Sequence, residues 1–84
     1  MSLLRLAALV PCYGAKDTVA AVVSGAREHV DKVLVIDDGS RDESASRAEQ
    51  SGAQVISHRR NRGKGAALRE GFAELASQGF SHVV

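Results

Sequence analysis

The feature that most constrains what this chain can fold into is the alternation of short, unbroken apolar runs with stretches of helical periodicity. Leu6-Ala-Ala-Leu-Val10 is apolar throughout, and so, apart from its ends, is Lys32-Val-Leu-Val-Ile-Asp37. A strand with one face in water alternates apolar and polar residues, whereas a strand covered on both faces does not. Runs of this kind therefore belong in a parallel sheet lying between helices. Gln54-Val-Ile-Ser57 reads as a third, shorter strand and Phe80-Ser-His-Val-Val84 as the start of a fourth.

Between these runs, Val19, Val22, Val23, Ala26 and Val30 recur at helical spacing, with Gly14 and Asp17 supplying turn and N-cap chemistry. A second helix is expected over 42–51, with Ala45 and Ala48 as a thin inner face and Gly52 as the left-handed residue that ends it. A third is expected over 63–78, on an apolar stripe of Ala67, Leu68, Phe72 and Leu75, with Gly79 as the stop. Pro11 is expected to end the first strand. The order β-α-β-α-β-α-β with short connections predicts an α/β fold: an open parallel sheet with right-handed crossovers, half of a doubly wound nucleotide-binding architecture.

At 84 residues the chain is at most one small domain. A domain of this size buries only about 60% of the surface its unfolded chain exposes. Residues 1–84 end inside the fourth strand, so the expectation is the N-terminal part of a longer domain, with an exposed apolar sheet edge and a tendency to self-associate. The net charge of +1 excludes a general polyanion binder. The one basic cluster, Arg59, Arg60, Arg62 and Lys64, has no interleaved aromatics, so no nucleic-acid partner is expected. A lone Cys12 excludes an internal disulfide and suits a reducing, cytoplasmic compartment. The apolar start, interrupted by Arg5 and Pro11, is too short for a membrane span and lacks a signal-peptide cleavage pattern.

In an open parallel sheet the loops after the strands' C-terminal ends share one crevice. Three segments are directed there: Pro11-Cys12-Tyr13-Gly14, Asp37-Asp38-Gly39-Ser40, and the loop 58–65. Two adjacent carboxylates at a strand end are costly unless a donor or cation satisfies them, so Asp37 and Asp38 are either a ligand site or a turn that caps the second helix. Tyr13 offers a ring to stack on a planar base and a hydroxyl for a phosphate or ribose; the alternative is a half-buried packing aromatic. Asn61-Arg62-Gly63-Lys64-Gly65 at a helix start combines free N–H groups with a cation, suited to a phosphate, although a solvated basic turn has the same composition. It is not a P-loop, since Gly65 stands where Ser or Thr would hold Mg²⁺, and no Gly-x-Gly-x-x-Gly follows the first strand. His29, His58 and His82 show no metal-ligand spacing with Cys12 and read as surface or loop residues, and Cys12 reads as a packing residue.

Val-Pro-Cys-Tyr, then Val-Leu-Val-Ile-Asp-Asp-Gly-Ser-Arg-Asp, then Asn-Arg-Gly-Lys-Gly-Ala-Ala-Leu-Arg-Glu-Gly-Phe, in this order and separation, resemble the N-terminal half of family 2 glycosyltransferases with a GT-A, Rossmann-like fold. The resemblance runs from about Leu6 to Val84 and is strongest to the polyprenyl-phosphate sugar transferases. It implies an inverting transfer of sugar from a nucleotide-diphosphate sugar to an acceptor such as a polyprenyl phosphate, at the cytoplasmic face of a membrane. It also implies that Pro11 and Tyr13 line the nucleotide pocket, that Asp37 or Asp38 reads the base or ribose, and that Lys64 lies near the pyrophosphate. In that family an Asp-x-Asp motif holding a divalent cation (Mg²⁺ or Mn²⁺), and then the catalytic base, follow the fourth strand. Both are expected beyond Val84, which leaves these 84 residues without catalytic groups and inactive alone. Where many relatives read Pro-x-Tyr-Asn-Glu, this chain has Gly14-Ala15.

Two other readings compete. Val-Leu-Val-Ile-Asp-Asp also resembles the acidic, Mg²⁺-binding strand end of receiver domains, although there the acidic strand comes first. A non-catalytic nucleotide-binding module is the third.

Overall fold

The computed structural model describes residues 5–84; residues 1–4, counted in the expected domain, lie outside the described residues. Seven elements follow one another: β1 (Leu6–Cys12), α1 (Val19–Arg27), β2 (Lys32–Asp37), α2 (Ser44–Gln50), β3 (Gln54–Ser57), α3 (Lys64–Ser77) and β4 (His82–Val83). All pairings are parallel, and the strand order is β3-β2-β1-β4. The α/β class, the open parallel sheet and the element order are those the sequence predicts.

Why the apolar runs are unbroken is visible in the packing. Along β1 and β2 alternate residues go to opposite faces. Ala8, Cys12, Val33 and Val35 join Val19 and Val23 of α1 and Ala48 of α2 in one core. Ala7, Leu9, Leu34 and Ile36 join Ala67 and Leu75 of α3 in the other. Leu34, Val35 and Ile36 are wholly buried, so β2 is the centre of both layers.

Five local expectations are corrected. Pro11 does not end β1, which runs on to Cys12 with Pro11 opposite Ile36. The N–H of Leu9 donates across the β4 side to the Val84 carbonyl (2.9 Å). Pro11, two residues on, faces that same side and not β2, so its missing donor takes no bond from the β1–β2 ladder. At α1 the N-cap position is Thr18 rather than Asp17, and no side chain bonds the helix end. On α3 the inner positions are Ala67, Gly71 and Leu75, spaced by four, and Phe72 is turned outward and half exposed. Gly71 takes the place expected for Phe72 because α3 presses directly on β1: a Cβ there would lie 2.3 Å from Leu9 Cδ1. Val22 is likewise exposed, since Val19 and Val23 already occupy the inner line of α1. The expected stops at Gly52 and Gly79 are present, both with positive φ. The second helix begins at Ser44 rather than at 42, and wholly buried Ser44 joins Ala48 on its inner face.

Candidate functional site

α1 and α2 cover one face of the sheet and α3 the other. The chain therefore reverses direction of winding when β4 is laid on the far side of β1. Crevices form at such a reversal, outside the carboxyl ends of the strands. A cleft of about 260 Å³ opens there, lined by Pro11, Cys12 and Tyr13 from the end of β1, Asp38 from the end of β2, and Asn61, Lys64 and Ala67 from the loop and helix after β3. Its volume falls just under the lower end for small-molecule sites, about 300 Å³.

One wall is the turn after β1. The N–H of Gly14 donates to Ser40 Oγ (2.8 Å) and that of Ala15 to Ser44 Oγ (2.9 Å), so one hydroxyl from the β2–α2 connection and one from the first residue of α2 hold this turn. Ser44 is in turn bonded through both its N–H and its hydroxyl to Asp42 Oδ1. Those donors, the hydroxyl first, hold the Asp42 carboxyl below its ordinary value. Tyr13 is 64% exposed at the cleft, a ring available to a planar group rather than one packed into the core. The Cys12 thiol is pushed up by burial and by the neighbouring Asp37 charge, which suits a packing role and not a nucleophile.

The other wall is the turn after β3, organised by Asp38. Its Oδ1 accepts from the N–H of Arg62 (2.8 Å) and its Oδ2 from that of Gly63 (2.9 Å). His58 Nδ1 lies 3.0 Å from the same Oδ1, and His58 Nε2 lies 2.5 Å from Glu70 Oε2 on α3. The Arg62 N–H, followed by the His58 contact, holds the Asp38 carboxyl low, against the opposing effect of burial. The contact with Asp38, followed by that with Glu70, raises His58 above its ordinary value, again against burial. Gly39 lets the two connections meet: its φ is +86°, and a Cβ there would stand 2.7 Å from the Asn61 nitrogen.

The structure brings Pro11, Tyr13, Asp38 and Lys64 together around one cleft. Asp37 is not among the lining residues. It is buried beside the cleft, opposite Cys12 in the β1–β2 register, and its Oδ1 accepts no hydrogen bond among the described residues. Asp38 is neither a helix cap nor a free ligand group, because its oxygens already hold a loop. Of the expectation that His58 is a surface or loop residue, the loop placement holds and the surface placement is overturned: its ring is buried between two carboxylates, while His29 and His82 are exposed. Glu70 lies outside every segment that the sequence directs to the crevice, and His58 and Asn61 fall within the loop 58–65 without being singled out there as contact residues. A histidine placed directly after a strand in an open parallel sheet was the available signal for His58, since that position opens onto the crevice. Among the described residues no group of three or more His, Cys, Asp or Glu side chains is placed to hold a metal ion.

The cleft sits inside a stretch with known relatives. Residues 7–80 match the family model described as glycosyl transferase family 2. Glycosyltransferase AglJ of Haloferax volcanii is 44% identical over 63 residues, covering 74% of this chain and 20% of AglJ. Glucosyl-3-phosphoglycerate synthase from Mycobacterium tuberculosis, solved with Mn²⁺, UDP-glucose and phosphoglyceric acid, superposes with a TM-score of 0.75 at 28% identity, covering 86% of this chain and 30% of that one. Mannosyl-3-phosphoglycerate synthase from Rubrobacter xylanophilus superposes with a TM-score of 0.74 at 27% identity, covering 84% of this chain and 27% of that one. The chain thus spans a fifth to less than a third of the length of these relatives. The fold is the Rossmann-like GT-A fold of those structures, and the receiver reading loses its ground. Since the family match extends from the second residue of β1 to the loop before β4 and takes in every cleft residue, the chain belongs to glycosyl transferase family 2.

Proposed function

We propose that this chain forms the donor-nucleotide side of a glycosyltransferase that moves a sugar from a nucleotide-diphosphate sugar to an acceptor. The observation that carries the proposal is the cleft itself: an exposed aromatic on one wall and a lysine at a helix N-terminus on the other, at the winding reversal of a family 2 chain. Tyr13 suits stacking on the base, with Pro11 as its apolar floor. Lys64 and the free N–H groups of the first turn of α3 suit the diphosphate, which needs cationic and N–H donors as negative charge grows on the leaving group. Asp38, which lines the cleft and keeps one acceptor position on Oδ2, suits a base N–H or a ribose hydroxyl.

The finer parts of the reading rest on the family. They are inversion at the sugar carbon, a polyprenyl phosphate as acceptor, action at the cytoplasmic face of a membrane, and a divalent cation on the diphosphate. Complexes of the relatives with Mn²⁺ or Mg²⁺ support the cation, which would neutralise charge on the diphosphate. Among the described residues no helix is long and apolar enough to cross a membrane. Self-association would use the sheet edge at β3.

The test is calorimetric titration with UDP-glucose and GDP-mannose, with and without Mn²⁺. One donor is expected to bind, and Lys64→Ala to weaken it by about tenfold or more, the scale of a lost charge-assisted contact. Folded protein that binds neither donor overturns the assignment.

A further inference from the structure

His58 is a buried titratable group that the nucleotide reading leaves without a role. It does not line the cleft. Its ring nitrogens face one carboxylate each, Nδ1 at 3.0 Å from Asp38 Oδ1 and Nε2 at 2.5 Å from Glu70 Oε2. An ionised carboxylate only accepts, so satisfying both contacts requires a proton on both nitrogens, which makes the ring an imidazolium. The same Asp38 carboxylate holds the N–H groups of Arg62 and Gly63, the two residues immediately before Lys64. The ring therefore ties α3, through Glu70, to the carboxylate that shapes the turn bearing Asn61 and leading into Lys64.

We propose that His58 is a positioning residue for the nucleotide: as a cation clamped between Asp38 and Glu70, it holds the 59–63 turn in the shape that presents Asn61 and Lys64 to the diphosphate. This rests on the nucleotide reading of the cleft. The charged groups facing the ring are Asp38 from the end of β2, Glu70 from α3 and Arg62 from its own turn, while β3 contributes none. The two carboxylates favour the cation and Arg62 opposes it, with a net rise from the ordinary value of 6.5. Loss of a proton sets a bare ring nitrogen against a carboxylate oxygen, two acceptors with no hydrogen between them, and one side of the clamp must open. Nucleotide affinity is thus full below the ordinary histidine range and declines as pH rises through the raised value.

The probe is UDP-glucose, whose diphosphate carries no terminal phosphate proton to titrate, measured calorimetrically from about pH 6 to about pH 9, below the ordinary lysine range, at constant Mg²⁺. The expected result is a fall of roughly tenfold in affinity over that span, the equivalent of one unit of pKa coupling. Glu70→Gln moves the midpoint to lower pH, and His58→Gln binds weakly and flatly. The imidazole ¹H–¹⁵N correlation of His58 in the wild type shows both nitrogens protonated at neutral pH, and UDP-glucose raises its pKa, as reciprocal linkage demands. If His58→Gln fails to fold, the midpoint shift in Glu70→Gln decides. Binding with a flat profile, or an unmoved midpoint in Glu70→Gln, overturns this inference alone. Absence of binding at every pH overturns the nucleotide reading, and this inference with it.

Discussion

The two turns that wall the cleft do the same job by different chemistry. The turn after β1 is held by neutral hydroxyls, Ser40 on Gly14 and Ser44 on Ala15. The turn after β3 is held by charge, with Asp38 gripping two backbone N–H groups and the His58 ring. A hydroxyl bond is worth modest energy and is indifferent to pH between acid and alkali, whereas a charge-assisted cluster is stronger and depends on protonation at both of its ends. The wall that presents Tyr13 is thereby insulated from mild alkali, and the wall that presents Lys64 is not.

The comparison can be broken most severely at Asp38. Asp38→Asn replaces one acceptor oxygen with a donor that faces N–H groups, and it is expected to lower the melting temperature and UDP-glucose affinity more than any other change named here. Retained amide protection at Arg62 and Gly63 in hydrogen exchange would show that the charge does not hold that wall. Gly39→Ala attacks the seam between the walls, forcing a Cβ into a positive φ and against the Asn61 backbone. It should cost about 3 kcal/mol in chemical denaturation; a cost near zero would mean that the two connections are free to separate.

Ser44→Ala isolates the hydroxyl wall. It leaves the Ala15 N–H unpaired at the edge of a buried site, for a loss of about 1–2 kcal/mol that is unchanged above neutral pH. Ser40→Ala, whose bond is solvent-exposed, should cost about 0.5 kcal/mol. The smallest effect is the pH dependence of stability itself. His58 has a raised folded pKa, so its contribution is complete below the unfolded value and lost as pH rises through the folded one. Asp38 and Asp42 have depressed folded pKa values, so theirs are present above the unfolded value and lost as pH falls through the folded one. Acid therefore weakens both walls, and mild alkali weakens only the second; urea titrations at neutral and mildly alkaline pH on wild type and His58→Gln should show the alkaline loss in the wild type alone.

Much of the fold was legible because its signals are local. The bounds of β2 and β3 follow from apolar runs ended by charge or turn residues, and Gly52 and Gly79 stop their helices through a backbone conformation that other residues resist. Where a position's meaning depends on a neighbour, the local reading failed. Pro11 is harmless because of which side of β1 it faces, and Gly71 outranks Phe72 because of how closely α3 lies on Leu9.

The candidate site divides along the same line. Pro11, Tyr13, Asp38 and Lys64 follow from one topological rule, that the C-terminal ends of parallel strands share a crevice, and a sequence that announces its strands also announces that crevice. Whether Asp37 or Asp38 faces the cleft, and that His58 and Glu70 stand behind it, are relations between side chains brought together from β2, the turn after β3, and α3. The sequence by itself determined the parallel α/β architecture and the segments that meet at the cleft, because hydrophobic periodicity and glycine chemistry act over a few residues. Only the tertiary structure decided which carboxylate is spent on holding a loop and which histidine is buried between two carboxylates, because hydrogen bonds and burial depend on distance in space, which spacing along the chain does not encode.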